Sequence, residues 1–353
     1  MFCGRSNNRR LGRARRIERR KTKKWERGMS SGVCLRAGRV VRIGTREGGS
    51  TAAMRRLAPR FLLTLVTAST LWTSAIAQEY GASNEQHLSD LTLGNLFSEG
   101  WGQPWAKRER ADGTPDMALL KVTTNFLERE VRLDYARTNS IKNSKYIDSD
   151  FLNGLIAYGL NRRLMIEVIS NYQWNTPAKV GGAVSGAGGG GVLRFQLIDT
   201  EPTSLALQLR LNEPNQSIGQ TQTSRQVGLA GFSDLTPLAG LSRTGLYYSV
   251  VFESLVGKHA NGARESDIAY DISLAKTLTE RDTPVFGNFT TFLEALATTD
   301  LDGAKAGHTV ATVTPGVRFW FYPENSLMVG GDIPVSGPHP FGGVFRVTYI
   351  LNF

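Results

Sequence analysis

The chain has 353 residues, with 42 Lys and Arg against 31 Asp and Glu, a formal net charge of +11. Residues 1–77 carry 19 of those bases and only three acids (Glu18, Glu26, Glu47), so residues 78–353 keep 23 bases and 28 acids. A body of that sign does not grip nucleic-acid phosphates. Both cysteines, Cys3 and Cys34, lie outside it, which excludes a disulfide framework, Cys-ligated zinc and a thiol nucleophile there.

Residues 1–53 are Arg-rich and lack apolar periodicity. They read either as a disordered nucleic-acid-binding arm or, more simply, as a stretch translated from too early a start, with Met29 and Met54 as later starts beside Met1. Residues 54–77 have the layout of a secretory signal peptide. Arg55, Arg56 and Arg60 form the basic part, Phe61 to Trp72 the apolar part, and Ala75-Ile76-Ala77 the cleavage site. No cysteine follows, so a lipid anchor is not expected. Residues 78–120 are polar and irregular, a periplasmic segment or a plug, and residues 121–353 are expected to form a barrel.

After about residue 116 short segments alternate apolar and polar residues, the period-2 mark of strands with two unlike faces. The clearest cases are 130–138, 163–172, 204–212, 266–277, 312–321 and 343–353. In 204–212, Leu205, Leu207, Leu209 and Leu211 oppose Gln208, Arg210 and Asn212. Further candidates lie near 150–159, 190–198, 225–232, 244–256, 286–298 and 326–334. Most have the length that a tilted strand needs to cross a hydrocarbon layer. Connections alternate between short turns and longer polar loops, except that 233–243 is long where a short turn is due. An even strand count requires 121–138 to be one long first strand and gives twelve strands, with ten to fourteen as the range. No helix of any length is evident. The fold class is therefore an all-β transmembrane antiparallel barrel. A secreted β-sandwich is the competing fold.

Aromatic residues near strand ends (Phe319, Trp320, Phe321, Tyr322, and Tyr349 to Phe353) fit interface girdles. The C-terminal Phe353 is similar to the signal read by barrel-insertion machinery. Two motifs, SEGWGQPW (98–105) and TPGVRFWFYPENSLMVGGDIPVSG (314–337), resemble a family of outer-membrane barrels named for the MetA pathway of phenol degradation and taken to be transporters. The resemblance covers most of 95–353. It implies an outer-membrane channel for aromatic or other small hydrophobic compounds, and no binding residue carries over.

If the apolar face meets lipid, eleven charged residues face the lumen: Arg132, Asp134, Glu167, Arg194, Arg210, Glu253, Asp271, Glu294, Arg318, Asp332 and Arg346. A charge facing lipid costs roughly 2–4 kcal/mol at the midplane, so these groups line water or pair with one another. They either set ion selectivity or brace the lumen as Arg–carboxylate pairs. No catalytic constellation is evident. His87 precedes the barrel, while His259, His308 and His339 fall in loops. Asp300 and Asp302 beside Gly303 lack the distal acid of a Ca²⁺ loop. Gly186 to Gly191 lacks the ending of a phosphate loop and reads as a flexible external loop. The expectation is a cofactor-free outer-membrane channel, not an enzyme, for small solutes. Its partners would be outer-membrane lipid, a solute and the insertion machinery. The alternatives are a closed structural or adhesive barrel and a secreted β-sheet binding protein.

Overall fold

The computed structural model describes residues 88–353, apart from 109, 111–112, 115, 142–145, 178–182, 214–221, 258–264, 323 and 338. The basic leader, the signal peptide, His87 and His259 lie outside the described residues.

Twelve antiparallel strands close into one barrel. In chain order they are β1 (Arg129–Asn139), β2 (Tyr146–Gly159), β3 (Leu164–Pro177), β4 (Val184–Asp199), β5 (Thr203–Glu213) and β6 (Gln222–Asp234). They continue with β7 (Thr244–Gly257), β8 (Ser266–Thr277), β9 (Gly287–Asp300), β10 (Thr309–Tyr322), β11 (Asn325–Ser336) and β12 (Gly343–Asn352). Each strand pairs with its sequence neighbours, and β1 pairs with β12 from Glu130↔Asn352 to Asn139↔Gly343. Closure leaves no unpaired edge, which is what a sheet surrounded by lipid requires.

The register sorts the side chains. Asp134 stands opposite Thr348 and Asn153, and Glu294 opposite Thr314 and Ser273, all on the inward face. The alternate positions point outward. There Val168, Leu211, Val250, Ile272, Leu293 and Phe345 stay exposed, forming an apolar band that only a hydrocarbon surround would bury. Outward charges such as Arg137 with Asp148 (3.6 Å) and Asp150 (3.7 Å) stand near strand ends.

Both barrel termini lie at one end, where the Phe353 amide donates to the Arg129 carbonyl at 3.0 Å. We call this the proximal end and its opposite the distal end. The odd proximal connection 235–243 holds a single helical turn, α1 (Leu235–Ala239). Asp234 caps it by accepting from the Thr236 amide, and Gly240 ends it in the left-handed conformation. No other α-helix occurs among the described residues, apart from a 3-10 turn at Gly303–Lys305.

Three expectations change. Strands run further than alternation shows, so the distal loops are shorter than expected. Gly186 to Gly191 belongs to β4 rather than to a loop. At Gly190 an added Cβ would lie 2.4 Å from the Leu211 carbonyl oxygen, so the strand needs glycine for close backbone approach. The first strand begins at Arg129, not 121. Residues 117–126 enter the barrel instead, where wall side chains replace a ladder as their hydrogen-bond partners.

Candidate functional site: an occupied lumen

The segment before β1 is fastened across the proximal end. Leu91 bridges Asp199 in β4, with amide–carbonyl bonds of 3.0 and 2.8 Å. Arg163, fully buried in the β2–β3 turn, donates to the carbonyls of Glu99, Gln196, Leu197 and Asn95 at 2.9–3.1 Å and to Asn95 Oδ1 at 2.7 Å. Arg162 binds Ser89 and Gln103, and Arg108 binds Asp199 at 3.2 Å. Trp105, from the SEGWGQPW motif, donates to the Leu127 carbonyl at 2.8 Å, with the Arg129 guanidinium 4.8 Å from its ring. It packs over Gly159, where a Cβ would come within 2.1 Å of the indole.

Further along, Arg110 pairs with Asp116 at 3.0 Å beneath the Phe232 ring. Burial pushes the Asp116 carboxyl up to about 6 against the pull of Arg110. The chain then climbs through Met117 to Val122 and returns through Phe126 to β1. We call residues 117–126 the plug. It is held in two ways.

The first is polar. Glu294 in β9 accepts three consecutive plug amides, Leu120 on Oε1 (2.9 Å) and Lys121 and Val122 on Oε2 (2.9 and 2.7 Å). Three cations of the wall donate to plug carbonyls: Arg132 to Leu119 (3.1 Å), Arg194 to Phe126 (2.9 Å) and Arg318 to Ala118 (3.4 Å). Lys121 itself reaches Thr312 Oγ1 (3.0 Å) and Asp332 (3.3 Å) on the wall. A strand-like ladder is impossible inside the barrel, so these side chains satisfy the plug's backbone groups.

The second is apolar. Met117, Leu119, Leu120, Val122 and Phe126 cluster with Phe232, Tyr247, Phe292, Met328 and Ile350. The last five occupy inward positions of their strands. Phe126 meets Phe232 edge-on at 5.3 Å between centroids. This apolar collar is absent from the sequence reading, which assigned polar residues to the lumen. Its signal is broken alternation, as at Tyr247-Tyr248. Trp320 faces inward as well. It was expected in an interface girdle, but it is buried inward, with Arg318 5.3 Å and Arg281 5.4 Å from its ring.

All eleven charged residues stand at inward register positions. Arg132, Arg194, Glu294 and Arg318 touch the plug backbone, and Asp332 touches the plug through Lys121. Arg132 pairs with Asp134 (2.7 Å), Arg194 with Glu167 (2.7 Å) and Arg346 with Asp332 (2.9 Å). The other three form local wall contacts. Arg210 donates to Asn212 (3.0 Å), Glu253 accepts from Gln226 (3.0 Å) and Ser224, and Asp271 accepts from Ser249 (2.6 Å). His308 and His339 are exposed in loops. Asp302 braces a loop by accepting from the Glu265 and Ser266 amides.

Beyond the plug, at the distal end, lies a cavity of about 400 Å³ bounded by β1, β9, β10, β11, β12 and the β11–β12 loop. The arrangement is a water-accessible distal vestibule closed below by an inserted chain segment.

No family model matches the chain, and no curated protein matches it. Solved structures align with the chain at low identity. An outer-membrane channel of the COG4313 group from Pseudomonas putida F1 aligns with TM-score 0.48 and 11% identity, over 67% of this chain and 100% of that one. The KdgM porin aligns with TM-score 0.42 and 10% identity, over 64% and 99%. The NanC porin aligns with TM-score 0.43 and 9% identity, over 64% and 99%.

Proposed function

We propose that the protein is an outer-membrane channel for small solutes whose conduction is controlled by the plug. The observation that supports this most directly is the built seat for residues 117–126. Eight strands are about filled by their own side chains, whereas twelve leave room inside. Here that room is taken by a contiguous segment held through its backbone, a device suited to a passage that closes and opens. The signal peptide would export the chain, and the terminal Phe353 would present it to the insertion machinery. No cofactor takes part. The wall charges would act on ions once the plug withdraws. The two motifs that resemble the phenol-degradation family are our ground for proposing aromatic or other compact apolar bodies as the solutes.

Conductance in planar lipid bilayers tests this. The mature chain should give rare current steps. A variant with residues 117–126 replaced by a Gly/Ser linker of equal length should conduct persistently. A linker variant that folds, as shown by heat-dependent migration on detergent gels, yet passes no current would refute the reading and favour the closed structural or adhesive barrel.

A further inference from the structure

We infer that the distal vestibule is a binding site for a small organic carboxylate with an apolar body. The inference rests on an uneven sharing of charge. At the floor of the cavity two cations converge on one acid. Arg346 grips Asp332 through Nε (3.0 Å to Oδ1) and Nη2 (2.9 Å to Oδ2), and Lys121 lies 3.3 Å from Oδ2. Thr314 also donates to Asp332, at 2.9 Å. The acid is spent on these partners and hidden, its side chain 1% exposed, while Arg346 is 25% and Lys121 12% exposed toward the cavity. A guanidinium carries five donors and an ammonium three, and Asp332 and Thr312 use only some of them. The floor therefore presents two cations with N–H groups to spare, the requirement for a carboxylate, while Glu294, which accepts the Lys121 amide, is not among the residues lining the cavity.

The other acid at the cavity, Asp300, sits at the rim. It lies four residues along β9 from Leu296, which pairs with Thr312. At roughly 3.3 Å per residue that is about 13 Å along the strand, too far to neutralise the floor. The remaining walls include Leu296, Val310, Val344 and Phe341. They offer apolar contact above the charged floor, and the volume falls in the range of small-ligand sites. One of the two cations belongs to the plug and the other to the wall, so a bound anion would touch both.

The site rests on the channel reading only in making the anion a passing solute. Binding and conduction are therefore measured separately on the same full-length mature protein. Benzoate is titrated calorimetrically into the protein in detergent, with benzamide as its uncharged isostere. Benzoate should bind at least about tenfold more tightly than benzamide, the difference expected for a charge-assisted pair. Arg346→Gln should weaken benzoate binding by about tenfold or more. Asp332→Asn, which releases both cations, should strengthen it. Equal binding of the two probes, or weaker benzoate binding in Asp332→Asn, would overturn the site. Benzoate binding without any current would overturn the channel reading and leave the site standing. Current without benzoate binding would do the reverse.

Discussion

Glu294→Gln is the most informative single change, because one carboxylate holds three backbone amides of the plug. A carboxylate accepts on both oxygens, while the amide of Gln offers one acceptor oxygen and turns its NH₂ toward an N–H donor. One or two of the three bonds are lost. Hydrogen bonds to charged groups contribute about 1.5–3 kcal/mol each, so the seat should weaken by roughly 1.5–6 kcal/mol, or at least about tenfold in the ratio of seated to released plug. The apolar contacts of Met117, Leu119, Leu120, Val122 and Phe126 are untouched. At about 1.5–3 kcal/mol per buried side chain they keep the plug mostly in place, so the variant should flicker rather than stand open. Amide hydrogen exchange at Leu120, Lys121 and Val122 reads the effect directly, and the frequency of current steps in a bilayer reads its consequence. Exchange at these three amides should speed up by that factor while β4 and β5 stay protected. A folded Glu294→Gln protein whose plug amides exchange at the wild-type rate would refute the latch.

Three further outcomes follow from the same contacts. The Asp116 carboxyl, normally near 3.8, is raised to about 6 by burial, so its contribution to stability is full below about pH 3.8 and is lost as the pH rises through 6. Plug protection should therefore fall between pH 4 and 7 by more in the wild type than in Asp116→Asn, and equal falls would exclude this group. Gly159→Ala places a methyl 2.1 Å from the Trp105 ring, and overpacking of this kind costs about 1–3 kcal/mol. The barrel should then melt at a lower temperature in detergent, and Trp105→Ala in the same chain should reverse part of the loss. Arg163→Met removes the donors that hold the carbonyls of residues 95–99. Limited proteolysis should then cut residues 88–105 at concentrations that leave the wild type intact, with the strands uncut in both.

Period-2 alternation was legible wherever a strand separates lipid from lumen, as in 204–212, 266–277 and 343–353, and the topology of twelve strands followed from parity. Two kinds of residue escaped it. The Gly186 to Gly191 run has no side chains to alternate, so nothing in its pattern distinguishes strand from loop, and the crowding at Gly190 appears only once β5 is alongside. Residues 121–128 (KVTTNFLE) do not alternate strictly and are joined to the first strand by parity alone, which cannot tell a strand from a segment that turns into the lumen. The charged residues of the lumen could be found from alternation, but their partners could not. Glu294 meets residues more than 170 positions away through their backbones, and backbone amides leave no trace in side-chain chemistry. Phe232, Tyr247, Phe292 and Met328 escape a reading that assigns only polar and charged side chains to the inward face.

The plug runs without interruption into β1, and β1 forms the seam with β12 that completes the cylinder. The segment therefore never has to thread through a finished ring. It can settle against the curved, still-open sheet and be enclosed when the first and last strands meet. Arg132, on the seam strand itself, holds the Leu119 carbonyl, so the strand that completes the cylinder also carries one of the groups that seat the plug. The connectivity thus lets the interior be filled from one end of the chain as the cylinder closes, with no threading step.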